Sequence, residues 1–464
     1  MRLASSGTSS KQDYLGNGLI FLNVILLAIW AIKDTIALRN IVLVLGAIIS
    51  IIYIIHDWRF GKLKKQLHSI NVLPIICVIT IFAWVLIHFF CFSQDPANQF
   101  QELKSTWLRA LLGSILAWGT GLAILRKPLL INYLWLGILA GILAVYAQYI
   151  PKALAAKAFF VPDYHGYLFD GKINGVLVGT VLIAGLTGTV LDLFRRQQLS
   201  KHLWALLFWF VGIVLVMYSY VFIYDTRNGF GLAAILFAAL IMGTLVWVVK
   251  RILTQGATKE LKIVILFILA AAIVASLFAY QQMQRNRGWV TLIEDAKIAV
   301  QIDKYPHWQK SNDGGAYPKT DAGREVVGNN YERVAWAVVG VRLIGQHPMG
   351  IGILYKPFNR LLQIDYPGAT PYATHSGWID LGLSFGIPAL LLMWMVLASV
   401  FYFGLQSNGP FKLTVPMMAG MIFLLYLVGE LNGKHAVEIL FYWFAMLTAL
   451  QLPQKQELPE AIHD

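Results

Sequence analysis

Three residues in this chain have the chemistry to act on a charged group: Arg227, Arg333 and His375. A guanidinium stays charged, and its planar fork can pair two oxygens of one phosphate. An imidazole can take or give a proton near neutrality. Arg227 sits in the polar run Tyr224-Asp225-Thr226-Arg227-Asn228-Gly229. The other two lie in a stretch from Asn329 to Asp380, where polar groups and glycines gather between apolar runs. That stretch runs from Asn329-Asn330-Tyr331-Glu332-Arg333 through Arg342 and His347-Pro348-Met349-Gly350-Ile351-Gly352 to Thr374-His375-Ser376-Gly377-Trp378-Ile379-Asp380. Each candidate also has a structural reading. Arg227 can be an interfacial anchor, Arg333 can pair with Glu332 or Asp380, and His375 can simply begin the next helix. Pro348 to Gly352 reads as an ordinary turn.

The elements that must position these residues are membrane helices. Of 464 residues, 58% are hydrophobic and 13% charged, and the mean hydropathy is +0.64. A soluble domain carries roughly 25% charged residues. The apolar runs approach the ~20 residues that carry a helix across a bilayer, and a helix satisfies its own backbone where lipid cannot. The fold class is therefore an all-α polytopic membrane protein. The formal charge of +13 fits basic anchors beside the membrane, so no nucleic acid partner is expected. Residues 1–17 are polar and mixed, which predicts no cleavable signal peptide. Cys77 and Cys91 share one apolar run; on one helix they stand about 21 Å apart and cannot bond. They say nothing about compartment.

Spans are predicted near 18–38, 41–56, 71–93, 106–125, 129–149, 173–193, 202–222, 230–249, 261–280, 378–404, 413–430 and 436–452, about twelve in all. The second is short for a span. Basic residues follow the even-numbered spans: Arg59, Lys62, Lys64 and Lys65; Arg126 and Lys127; Arg195, Arg196 and Lys201; Lys250, Arg251, Lys259 and Lys262; Lys412. Lys/Arg-rich short loops stay in the cytoplasm, so both termini are expected inside. The chain divides into residues 1–280 with nine spans, an external loop domain at 281–377, and residues 378–464 with the last three spans and a cytoplasmic tail.

This topology gathers the polar sites on one face of the membrane, which favours a functional reading of them. The third such site, Glu430 to His435, reads as a solvated turn outside the catalytic set. The connection 150–172 joins them, with Lys152, Lys157, Asp163, His165 and Lys172 among the belt aromatics Phe159, Phe160, Tyr164 and Tyr167. Within the loop domain, 330–345 has helical periodicity and is expected to lie in or near the interface. Arg342 follows Arg333 by about 900° of rotation, so the two point to opposite sides. Segment 304–329, with Asp313-Gly314-Gly315, reads as an irregular loop.

Arg227 after the seventh span, the pair Arg333 and Trp336, the Pro348-Met349-Gly350-Ile351-Gly352 turn, and His375 followed by Asp380-Leu381-Gly382 and Gly386 resemble the O-antigen ligase family. The resemblance covers about 220–400. That family shares its fold with O-antigen polymerases and protein O-oligosaccharyltransferases. The resemblance implies a multi-pass protein of the bacterial inner membrane, acting on its periplasmic side without metal. It would move a glycan from an undecaprenyl diphosphate donor to a sugar hydroxyl of a lipid A-core acceptor. By the same likeness Arg227 and Arg333 would hold the diphosphate and His375 would act on the acceptor. The family often has Asn directly after this histidine; here it is Ser376.

The residue chemistry agrees. A polyprenyl diphosphate needs fixed positive charge at the interface beside a groove for its tail. Arginine aimed at the departing diphosphate stabilises charge where it develops. The Asp, Glu and His residues show no compelling metal-ligand spacing, so no metal and no cofactor are expected, and arginine takes the place a divalent ion has in other sugar transferases. Polymerase, protein oligosaccharyltransferase and lipid-linked sugar transporter are the alternatives. A transporter would call for paired broken helices and intramembrane charges, and neither is plain in the sequence.

Overall fold

The computed structural model describes residues 5–59, 70–161, 169, 171–255, 259–285, 288–310, 316–429 and 433–453. Expectations on Lys62, Lys64, Lys65, Asp163, Tyr164, His165, Tyr167, Asp313 to Gly315, Glu430 and the tail after 453 lie outside the described residues. The regular elements among the described residues are all helices: α1 (Ser5–Ile29), α2 (Ile36–Arg59), α3 (Leu73–Cys91), α4 (Pro96–Glu102), α5 (Leu108–Arg126), α6 (Ile131–Ala156), α7 (Lys172–Arg195), α8 (Leu203–Tyr218), α9 (Arg227–Gln255) and α10 (Lys259–Arg285) come first. The polar stretch follows as α11 (Gly288–Ala299), α12 (Gly328–Gln346) and α13 (Pro357–Asp365), and the chain closes with α14 (Gly377–Gln406), α15 (Thr414–Val428) and α16 (Lys434–Leu450).

Among the described residues eight helical segments are long and apolar enough to cross a membrane. All twelve expected spans coincide with helices. Three of the remaining four fall on shorter apolar helices, Arg227–Gly243, Ile268–Gln284 and Thr414–Val428. The first span ends earlier than predicted, at Ile29, where the chain turns through Asp34 at φ 59°. The second is not short. It runs 24 residues, because Arg39, which looks like a boundary in the sequence, is helical and buried. Its guanidinium donates to Trp30 O at 3.0 Å and meets His435 Nδ1 at 2.8 Å. His435 is therefore no solvated turn residue; it lies within this cluster and 3.6 Å from Glu438.

The helices bury their small and polar faces and leave aliphatic ridges outside. On α2, Ile41, Val44, Leu45, Ile48, Ile51, Ile52 and Ile55 are exposed at helical spacing, while Gly46, Ala47 and Ser50 face inward. This arrangement suits lipid, where association rests on close packing and interhelical hydrogen bonds. Ser50 Oγ donates to Ile115 O on α5. In the bundle centre Asn23 donates to Thr120 Oγ1 at 2.6 Å and accepts from Tyr442 at 2.6 Å, so this buried amide is partnered at both ends.

The polar stretch has its own core, with Trp308, Tyr331, Trp336, Leu343, Phe358, Leu361 and Leu362 packed together and Leu383 of α14 reaching into it. The expected helix at 330–345 is α12, but it is no simple surface helix. It buries Tyr331, Ala335, Trp336, Val339 and Leu343 in this core. Segment 304–329 is irregular where described up to Val327, after which α12 begins, apart from a 3-10 turn over Pro306–Gln309 and the bridge Lys319 to Glu325.

Candidate functional site

Arg227 is aimed by the turn before it. A π-helical turn over Ser219–Ile223 ends α8. Tyr224 N then donates to Ser219 O and Thr226 N to Tyr220 O, and Asp225 takes a left-handed backbone, φ 45°. Thr226 Oγ1 accepts from Gly229 N at 3.4 Å at the start of α9. Asn228 donates to Val428 O at 2.6 Å and ties that start to the end of α15.

The Arg227 guanidinium donates from Nη1 to Asn330 Oδ1 at 2.8 Å. Asn330 is buried, and its amide nitrogen donates to Gly288 O at 2.8 Å and Asp295 Oδ2 at 2.9 Å. Two accepting oxygens thus fix which end of the amide faces Arg227. Gly288 has no side chain for a reason: a Cβ there would overlap Arg227 Nη1. Asp295 is in turn held by Arg324 at 2.8 Å and Thr291 at 2.7 Å. Burial pushes the Asp295 carboxyl up, but the hydrogen bonds from Thr291, Arg324 and Asn330 outweigh it and hold it below the usual range. With a folded-state value below the unfolded one, this anchor is in place above the ordinary carboxylate range and fails only as pH falls through the lowered value. Asn330→Leu keeps the volume and removes the anchor. We expect turnover about 10- to 100-fold lower, the scale of a misplaced charged group, with the same amount of folded protein; initial rates in liposomes check this. Wild-type rates would remove Asn330 from the site.

Arg333 lies one turn beyond Asn329 on α12, and Trp336 and Gly340 continue the same face. Trp336 stacks on the His375 imidazole, ring centroids 5.4 Å apart and planes at 22°. Gly340 lets α12 close on the histidine loop; a Cβ there would meet Thr374 Cγ2 at 2.7 Å. The helical spacing of three and four thus carries an arginine, an aromatic shelf and a gap for the loop. Arg342 points away, to Asp303 at 2.7 Å and Tyr366 at 3.3 Å. The expected opposition of the two arginines holds.

His375 has a left-handed backbone, φ 58°, a conformation that few non-glycine residues adopt. Its neighbours impose it. Asp380, buried, accepts from Thr374 Oγ1 at 2.8 Å and Thr374 N at 3.2 Å. Ser376 N donates back to Thr374 Oγ1, and Gly377 N donates to Gly429 O at 2.8 Å. Ser376, where the family pattern has Asn, is buried and lies with its hydroxyl near Tyr426 O, 3.5 Å away.

The Pro348 to Gly352 turn is more than a connection. It docks into a break in α14 at Gly386, whose φ 76° and ψ −178° are open to glycine alone. Ile351 N and Gly352 N donate to Leu383 O and Ser384 O, and Ile387 N donates to Pro348 O. The turn replaces helical hydrogen bonds lost at Gly386 and Pro388.

Arg227, Arg333 and His375 line one cavity of about 460 Å³, together with Lys172, Asp225 and Tyr372. An adjoining groove of about 540 Å³ is apolar, walled by Val334, Ala337, Val338 and Val341 of α12 with Ile379 and Leu427. Arg333, His375, Asn228 and Val428 belong to both walls. Lys172, which the sequence offers only as part of an aromatic belt, is a third cation of the cavity. Asn330 and Gly288 carried no sequence signal as site residues, since asparagine and glycine are ordinary at helix starts. Among the described residues no three His, Cys, Asp or Glu side chains gather around one ion position.

Residues 221–394 match the O-antigen ligase family model. The match begins in the turn before Arg227 and ends inside α14, so it holds all three site residues and the docked glycine turn. It agrees with the resemblance read over about 220–400. The family comprises membrane glycosyltransferase-like enzymes, ligases and related polymerases among them. No curated protein matches the chain.

Proposed function

We propose that the protein is an O-antigen ligase. It transfers a glycan from undecaprenyl diphosphate to a sugar hydroxyl of the lipid A core, on the periplasmic side of the bacterial inner membrane. The observation that carries this reading is the pairing of a cationic cavity with an apolar groove, with Arg333 and His375 at their junction. The diphosphate lies between Arg227 and Arg333, with Lys172 adding charge. The polyprenyl tail follows the α12 face of valines and alanine. A sugar hydroxyl approaches from the His375 side, and its oxygen attacks the anomeric carbon as the bond to the diphosphate breaks. The free lipid diphosphate leaves with both bridging electrons, and the hydroxyl proton passes to His375 Nδ1 or Nε2.

In this reading arginine supplies the charge that neutralises the leaving group. Transfer by the purified protein in liposomes therefore survives excess chelator. A loss restored by added magnesium or manganese would contradict this and direct attention to Asp225, Glu332 and Asp380.

The side of the membrane has its own test. Lys319 is exposed and far in sequence from either flanking span. With Cys77 and Cys91 replaced, a cysteine in place of Lys319 reacts with an impermeant reagent in intact spheroplasts, and one in place of Arg195 only after lysis. Labelling at 319 only after lysis would sink the periplasmic mechanism.

A further inference from the structure

The loop that ends in His375 begins on an aromatic platform. Tyr372, three residues before His375, lines the cationic cavity yet is 52% exposed. Tyr355 is 58% exposed. Between them stands Lys356, its Nζ 5.2 Å from the Tyr355 ring centroid and 6.0 Å from that of Tyr372. Two large rings and an ammonium group thus share one exposed surface at the cavity mouth. This arrangement is not the burial that tyrosine ordinarily finds.

The platform is held firmly. Lys356 has a left-handed backbone, φ 52° and ψ 51°, directly before Pro357 opens α13. A lysine in that region persists only where its surroundings impose it. Glu102, a buried carboxylate at the end of α4, accepts from Leu354 N at 2.7 Å and Tyr355 N at 2.9 Å. Arg360, on the first turn of α13, pairs with Asp95 at 2.8 Å. On the Tyr372 side, Asn359 donates to Pro371 O at 2.8 Å and Thr370 N donates to Gln309 O at 2.8 Å. Buried and paired groups therefore fix the position of exposed ones, which is the pattern of a preorganised recognition surface.

We propose that Tyr355, Lys356 and Tyr372 form a saccharide subsite for the acceptor, taking a sugar residue that carries an anionic substituent. Tyrosine offers a rigid apolar face with a polar rim, which suits the C–H face of a pyranose and its flanking hydroxyls. Lys356 supplies a point charge for a phosphate or carboxylate on that ring. The acceptor is favoured over the donor glycan by continuity, since Tyr372 and His375 lie on one short loop. A ring seated on Tyr372 brings its neighbour to the imidazole. Tyrosine and lysine also serve as membrane-interface anchors, but Tyr372 forms part of the wall of the cavity that holds Arg333 and His375, which an anchor has no reason to do. This inference rests on the transferase reading of the cavity.

The test is transfer by purified protein in liposomes, with donor and acceptor varied separately. Tyr372→Ala, Tyr355→Ala and Lys356→Ala are compared with wild type and with Tyr355→Phe. We expect each alanine variant to raise the acceptor KM about 10-fold, the donor KM to stay within about twofold, and Tyr355→Phe to resemble wild type. Acceptor treated with phosphatase, or amidated at its carboxylates, should raise the wild-type KM as Lys356→Ala does and add little to that variant. Binding of delipidated core oligosaccharide to His375→Ala protein should weaken in the same variants. A donor KM that rises while the acceptor KM does not would move the platform to the donor side and overturn the assignment. So would unchanged acceptor KM in all three variants, or a loss explained entirely by less folded protein in the membrane. A wild-type protein that forms no product at all tells against the transferase reading itself. In that case the oligosaccharide binding assay still decides the platform.

Discussion

Arg333→Ala and Arg227→Ala each lower transfer by at least ~10³-fold, about 4 kcal/mol at the transition state, while folded protein still reaches the membrane. Both arginines line the cavity, and in the proposed mechanism their charges face the departing diphosphate. The two differ in how they are held. Arg227 is pinned through Asn330 to the α11 start. Arg333 rides on the α12 face that also seats Trp336 against His375. Lysine restores little at either place, because one ammonium cannot span two phosphate oxygens as a guanidinium does, and at position 227 it would have to keep the Asn330 contact as well. Initial rates at saturating donor, with folded protein quantified by size exclusion, give the answer. Full activity in Arg333→Lys would reduce that residue to a point charge. Full activity in either alanine variant would remove that residue from the site.

His375→Ala lowers turnover by about 10²- to 10⁴-fold, the range for loss of a general base, and leaves donor affinity within about twofold. A sugar hydroxyl is far too weak an acid for an imidazole to ionise beforehand. The base helps late, as the anomeric carbon gains positive charge and the diphosphate departs. The imidazole must then be neutral when it takes the proton, so transfer rises rather than falls with pH. A protonated His375 that binds the diphosphate would act oppositely, with activity falling as pH rises and donor affinity dropping in the alanine variant. Turnover unchanged at saturating donor, with weakened donor binding, would refute the base. The held loop gives the base its reach: Asp380 fixes Thr374, the backbone at His375 turns left-handed, and Trp336 covers one face of the ring.

Much of this was legible in the residues because membrane helices announce themselves by hydropathy alone. The α12 periodicity located its helix, and nine residues of rotation separated Arg342 from Arg333, as the ion pair to Asp303 bears out. The boundaries near Arg39 were less legible, since a charge inside a span reads as a loop until its partner is known. That partner, His435, is 396 positions away. The same distance problem hid the site's supporting residues. Asn330 and Gly288 matter through contacts with Arg227 that only the folded chain makes. Pro348 to Gly352 carries an ordinary turn signature, and its docking against Gly386 depends on a helix break that the apolar run from 378 does not reveal.

The claim that these residues form one centre for displacing a lipid diphosphate meets its most direct test in a competition. Purified protein in liposomes is given undecaprenyl-diphosphate glycan, with lipid A-core and a second lipid-linked glycan offered together as acceptors. The account predicts a new glycosidic bond on lipid A-core, one free undecaprenyl diphosphate released per bond formed, and neither product in Arg333→Ala or His375→Ala. Extension of the second lipid-linked glycan would make the protein a polymerase. Movement of intact donor across the bilayer, with no new bond and no free lipid diphosphate, would contradict the account at its root.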